Sequence, residues 1–225
     1  MKRILRFWIA RRLVRAYRTK SYCWDSNARV RRDGFDRQHG TDTTRIVQTK
    51  DRSGRMVHWY ETASATAIAA AIDAIGIDAS TATFIDLGCG KGKPLLIAAE
   101  KRFRRIIGVD VDPSCLAIAK RNLEICGLSA RVELVAADAT EFNLPSGPLL
   151  IYLYNPFPGH VLRIVLQRLA ARLATTSDPI ALIYMNPRCI ELVEGSGLFR
   201  KAFDLSGVVS QYERAVGFVS ECAGN

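Results

Sequence analysis

The residues of this chain best suited to chemistry lie in the run Phe84-Ile85-Asp86-Leu87-Gly88-Cys89-Gly90-Lys91-Gly92. An apolar stretch, Thr83 to Ile85, leads into an acid, Asp86. Gly88, Gly90 and Gly92 follow at alternate positions, and a helical segment opens at Pro94. Apolar strand, glycine turn and helix, in that order, let backbone amides approach a nucleotide-like ligand closely. A dinucleotide fingerprint needs its third glycine at position 93, which is Lys93 here, so the pattern is Gly-x-Gly-x-Gly. Asp110 ends the next apolar run, 18 residues past Gly92. An acid at that distance from a glycine turn can accept both ribose hydroxyls of a nucleoside. Its simpler role, capping the helix that follows, suits Asp112 better, because Pro113 comes next as a first-turn proline.

Two further sites carry polar groups at the ends of apolar runs. Asp138 closes Val135-Ala136-Ala137-Asp138 and, taken alone, reads as a solvated loop acid. Asn155 opens Asn155-Pro156-Phe157-Pro158 after Leu149 to Tyr154. Its side-chain carbonyl and a backbone carbonyl near Pro156 are two acceptors that can orient an incoming amine. Phe157 could wall such a channel or stack on a flat acceptor. The simpler reading is a strand-ending turn, for which Asn-Pro is common.

These residues need a scaffold, and from Ser64 onward the pattern supplies one. Ser64 to Ile75 predicts an alanine-rich helix, with Ile68 and Ile72 four apart. Strands are then expected at Thr83–Leu87, Arg105–Val109, Arg131–Ala136, Leu149–Tyr154 and Pro179–Met185. The helices between them are expected from Pro94 to Lys101, Asp112 to Cys126 and His160 to Leu173, with a short one over Cys189–Glu194. Phe199–Asp204 and Tyr212–Val219 close the chain, too near one another for a helical crossover, so one of them should run antiparallel. The expected fold is α/β, a Rossmann-like, mostly parallel sheet of seven strands.

Charge separates the chain into two parts. Of a net +10 over 225 residues, +9 falls in residues 1 to 40, where twelve Lys/Arg face three acids. Residues 1 to 56 therefore read as a basic arm and an irregular lead-in, and 57 to 225 as the folded α/β domain. Within the arm, Leu5, Trp8, Ile9, Leu13 and Tyr17 could share one face of a helix over residues 2 to 20. Such a helix could dock on its own domain, act as an organelle transit segment, or meet a nucleic acid or an anionic membrane surface. The six cysteines form no Cys-x-x-Cys pair, and the three histidines are scattered. No disulfide framework and no metal site are expected, and a cytoplasmic location fits. No apolar run approaches the roughly 20 residues that span a bilayer.

The acid before the turn and the alternate glycines resemble motif I of class I S-adenosylmethionine (AdoMet) methyltransferases. That resemblance implies AdoMet as cofactor, with Gly88, Gly90 and Gly92 lining it and Asp86 orienting the glycine turn or the methionine end. It implies Asp110 on the ribose and Asp138 on the adenine amino group. It places the end of the fourth strand, hence Asn155, facing the transferable methyl. Over residues 57 to 190, Tyr60-Glu61-Thr62 together with Tyr154-Asn155-Pro156-Phe157 resembles the Dot1-like protein lysine methyltransferases. There a Tyr-Gly-Glu-Thr loop covers the cofactor, which implies Tyr60 and Thr62 as cofactor contacts, and Tyr60, Asn155 and Phe157 as the catalytic side. The glycine of that loop is absent here, and Pro156 replaces a second asparagine. Asn-Pro-Phe also resembles the Asn-Pro-Pro-Phe/Tyr motif of amino-group methyltransferases. The resulting expectation is an AdoMet-dependent N-methyltransferase acting on a protein lysine. The alternatives are a nucleic-acid base or small-molecule amine methyltransferase, or a non-catalytic AdoMet-binding module.

Overall fold

The computed structural model describes residues 34–44, 48–50, 56–59, 61–154, 156–206 and 213–220. Tyr60, Asn155 and the expected helix over residues 2 to 20 lie outside the described residues.

The elements run α1 Phe35–His39, β1 Gln48–Lys50, β2 Met56–Trp59, α2 Ala65–Ile75, β3 Thr83–Leu87, α3 Lys93–Glu100, β4 Arg105–Asp110 and α4 Pro113–Ile125. There follow β5 Val132–Ala136, β6 Leu149–Tyr154, α5 Gly159–Leu173, β7 Ile180–Met185, α6 Ile190–Glu194, β8 Phe199–Asp204 and β9 Ala215–Ser220. Seven strands form one sheet in the order β5-β4-β3-β6-β7-β9-β8. β9 is antiparallel to both β7 and β8, and every other pairing is parallel.

Helices cover both faces, which is why β3 and β7 are buried along their whole length. Phe84, Ile106, Leu150 and Ile183 face a core shared with α2, α3 and α4. Ile85, Ile107, Leu149 and Leu182 face the other core, closed by Leu162, Val165 and Leu169 of α5. Ile68 of α2 is fully buried, a contribution of about 1.5–3 kcal/mol for a side chain of its size. The helix starts fall within a residue of those expected. The Ser64 hydroxyl accepts from Ala67 N, and the Asp112 carboxylate accepts from Ser114 N at 2.8 Å, with Pro113 in the first turn.

The lead-in departs from expectation. Residues 21 to 56 are not irregular throughout: α1 and β1 fall within them, and β1 pairs antiparallel with β2 in a separate two-stranded sheet. Phe35 is buried in the core beneath α2 and α3. Residues 34–44 thus form a strap packed on the glycine turn. Asp36 holds the strap's curve by accepting from Thr41, Thr43 and Thr44. Burial works against its charge, but these bonds keep its carboxyl below the usual range.

Candidate active site

The glycine turn stands at the C-terminal end of β3, beside the end of β4. Gly88 and Cys89 both donate to Val109 O, at 2.8 and 3.0 Å, and the turn then enters α3 through Gly92. Gly88, Gly90 and Gly92 all have positive φ, at 82°, 51° and 82°, where any other side chain is strained. Crowding adds a second reason at Gly88. A methyl group there would sit 2.5 Å from Pro156 Cβ, so the turn after β6 packs directly on the glycine turn. Sequence positions 88 and 156 are thereby neighbours, as the expected site requires.

Asp110 ties this arrangement together. Gly90 N donates to its Oδ2 at 2.7 Å and Asp112 N to its Oδ1 at 2.8 Å. Each oxygen keeps a lone pair for another donor, such as a ribose hydroxyl. Burial raises the Asp110 pKa, with Asp112 adding to it; the amides of Asp112, Gly90 and Val111 pull it down. Asp86, at the end of β3, is 2 % exposed and its Oδ2 has no hydrogen-bond partner among the described residues. Burial and then the charge of Asp110 push its carboxyl well above the usual range. Crowded carboxylates with an orphaned oxygen, next to a glycine turn, suit a ligand that carries positive charge and a nucleoside. AdoMet, with its sulfonium, ammonium and ribose, meets that description.

Asp138 lies past the end of β5, in the expected place, and Ala137 N donates to Asp110 O at 3.1 Å. Its own side chain is exposed and caps its turn, accepting from Thr140 N and Thr140 Oγ at 2.8 and 2.7 Å. Phe157 is partly buried and packs on the α5 core, so only its remaining face can border an acceptor. Thr62 is partly buried in the segment before α2.

Several residues escaped the sequence reading. Lys91 is buried and pairs with Asp42 of the strap at 3.0 Å. Asn122 of α4 accepts from Asp42 N and donates to Asp42 O and Lys91 O, all within 3.0 Å. Lys93 lies 5.4 Å over the Phe35 ring. The signal available was a pair of lysines inside a glycine turn, which need buried partners from elsewhere in the chain. At the other end of the site, Asn186 and Glu213 were also missed. Asn186-Pro187 after β7 repeats the Asn155-Pro156 pair after β6, the neighbouring strand.

The family model described as "Methyltransferase domain" matches residues 84–176. Over these residues the chain is similar to a methyltransferase domain. A ribosomal protein L11 methyltransferase of Pectobacterium carotovorum subsp. carotovorum is 32% identical over 123 residues, 48% of this chain and 40% of that protein. One from Serratia proteamaculans is 34% identical over 127 residues, 47% of this chain and 43% of that protein. The chain thus spans less than half the length of these curated relatives. They carry the L11 name and not a Dot1-like one. Among solved structures, a ribosomal protein L11 methylase from Lactobacillus delbrueckii subsp. bulgaricus superposes with a TM-score of 0.54. It is 13% identical, and the match covers 73% of this chain and 81% of that one. An RNA methyltransferase from Salinibacter ruber, in complex with S-adenosyl-L-homocysteine, superposes with a TM-score of 0.51 at 15% identity, over 73% and 96% of the two chains. At these identities the superpositions show the fold. The methyltransferase domain has no helix, among its described residues, long and apolar enough to cross a membrane.

Proposed function

We propose that the chain is an AdoMet-dependent N-methyltransferase whose acceptor is a protein amine, with a lysine side chain favoured. The observation that supports this reading is the packing of Pro156, the residue after Asn155, on Gly88 of the glycine turn. The curated relatives support a protein acceptor, since their names place their activity on a ribosomal protein. The Dot1-like motifs contribute the roles of Tyr60, Thr62 and Asn155. The L11 relatives make a protein amine, and not a Dot1-like substrate, the statement to test.

In this reading Gly88, Gly90 and Gly92 line the cofactor, their amides spent within the turn and on Val109 and Asp110 and their missing side chains leaving room for close approach; Asp110 holds the ribose, Asp138 the adenine amino group and Asp86 the methionine end. AdoMet supplies an already activated methyl on a sulfonium. The Asn155 carbonyl and a carbonyl near Pro156 orient the amine nitrogen toward that methyl. A free lysine is protonated at neutral pH, with a pKa of about 10.4. A low-dielectric wall from Phe157 and Tyr60 favours the neutral, nucleophilic form.

Whole-cell lysate incubated with methyl-labelled AdoMet and the purified protein tests the acceptor. Label in protein, retained after nuclease treatment and recovered as methylated lysine, is the expected result. Label confined to RNA or to small amines would replace the acceptor class and leave the methyltransferase domain standing.

A further inference from the structure

At the C-terminal end of β7 the chain does something unusual for a strand. Met185 pairs with Ala215, so Asn186 and Arg214 are the next antiparallel pair. Asn186 N donates to Arg214 O at 2.7 Å, as a ladder residue should. The return bond does not use the Asn186 backbone. Asn186 has φ 43°, in the left-handed region, and Arg214 N donates instead to the Asn186 side-chain oxygen at 2.8 Å. An N–H can only donate, so the amide's other end is its NH2 group, and that group donates to the Tyr154 hydroxyl at 3.1 Å. Tyr154 is the last residue of β6, immediately before the Asn155-Pro156-Phe157 turn.

The neighbour of Arg214 extends the connection. Glu213 is buried, and its carboxylate accepts from Ser64 N at 2.6 Å and from the Ser64 hydroxyl at 2.8 Å. Ser64 ends the Tyr60-Glu61-Thr62 segment and caps α2. Tyr154 at the end of β6 and Ser64 at the start of α2 are therefore joined through Asn186 and the Glu213-Arg214 pair.

We propose that Asn186 is a positioning residue for the methyl-acceptor side of the site. It acts through Tyr154 on the turn that begins at Asn155, while Glu213 holds the opposing segment through Ser64. This rests on the methyltransferase reading and deepens it. Left-handed backbone in a residue other than glycine, carried at the edge of a site, is the kind of local cost that persists where position matters. Asparagine is the residue that takes this φ and still offers both a donor and an acceptor.

The test needs no acceptor. Sinefungin carries an amine where the transferable methyl of AdoMet stands, and S-adenosyl-L-homocysteine carries nothing there. The ratio of their affinities, measured by calorimetry, reports on the carbonyl groups facing that position. The wild-type protein is expected to favour sinefungin. Asn186→Gly keeps the left-handed backbone and removes both side-chain bonds; Tyr154→Phe removes only the hydroxyl. Each should reduce the preference by about tenfold, the scale of one hydrogen bond to a charged group, with homocysteine-ligand affinity unchanged. The double variant should lose no more than Asn186→Gly alone, because both act along one path. A wild-type preference that survives in both single variants overturns the proposal. So does an equal loss for both ligands with a lowered Tm, which marks a merely structural bond. A wild-type protein that binds neither ligand removes the methyltransferase reading itself, a distinct result.

Discussion

At the scale of single residues, Asp86 and Asp110 set the electrostatics beside the glycine turn. Both have carboxyl pKa values raised by burial, Asp86 the more strongly, with Asp110 beside it. A raised folded-state pKa means that the folded protein holds protons the unfolded chain has released. The stabilising contribution is complete below the ordinary aspartate pKa of about 4 and is lost as pH rises through the raised value. Asp86→Asn should therefore flatten the fall in Tm with rising pH above about 4, which thermal scans in a pH series would show. A cationic cofactor favours the ionised carboxylates, so AdoMet binding should release protons, and affinity should rise with pH until Asp86 is ionised. Calorimetry in buffers of different ionisation heats reads this directly, and the Asp86→Asn protein should release fewer. Asp110→Ala should weaken AdoMet by about 1.5–3 kcal/mol, the scale for losing a charged hydrogen-bond partner. Unchanged affinity in that variant would exclude the ribose role. The places of Asp86, Asp110 and the three glycines were legible in the sequence because they follow from spacing along one β-turn-α unit. Asn186 and Glu213 were not, because each matters through a partner far away in the chain, Ser64 lying 149 residues from Glu213.

Among elements, the strap and the turn after β6 are the pieces that close on the glycine turn. Gly88→Ala would place a methyl 2.5 Å from Pro156 Cβ and force a left-handed residue. The turn must move, so methyl transfer should fall by about 10²-fold or more, the scale for a misplaced positioning group, in single-turnover assays. Retention of full activity would separate Pro156 from the reaction. Asp42→Ala removes the strap's hold on buried Lys91. It should destabilise the fold by about 1–3 kcal/mol in urea titration, while Lys91→Met, which leaves no buried charge, should cost less. The expected strands and main helices match the structure because each repeats its apolar pattern over enough residues to be read. The strap and the small hairpin do not. α1 has five residues and β1 three, and elements that short are held by tertiary contacts such as Phe35 in the core and Asn122 against Asp42.

For the whole molecule, the distribution of charge gives the remaining prediction. Residues 1 to 40 carry +9 of the chain's +10. A protein lacking residues 1 to 20 should keep wild-type AdoMet affinity but bind RNA or anionic vesicles more weakly, and salt should weaken the intact protein's binding in the same way. Loss of folding on truncation would show instead that the arm is a docked part of the domain. The amino-acid sequence by itself determined the α/β class, the mostly parallel sheet of seven strands and the places of Asp86 and Asp110 at strand ends, because periodicity and spacing are local properties. Only the tertiary structure decided that Pro156 rests on Gly88, that a strap covers Lys91, and that Asn186 joins β6 to the Glu213-Arg214 pair. Those contacts are made by single side chains brought together across the sheet, and no pattern along the chain records which of many polar residues will meet.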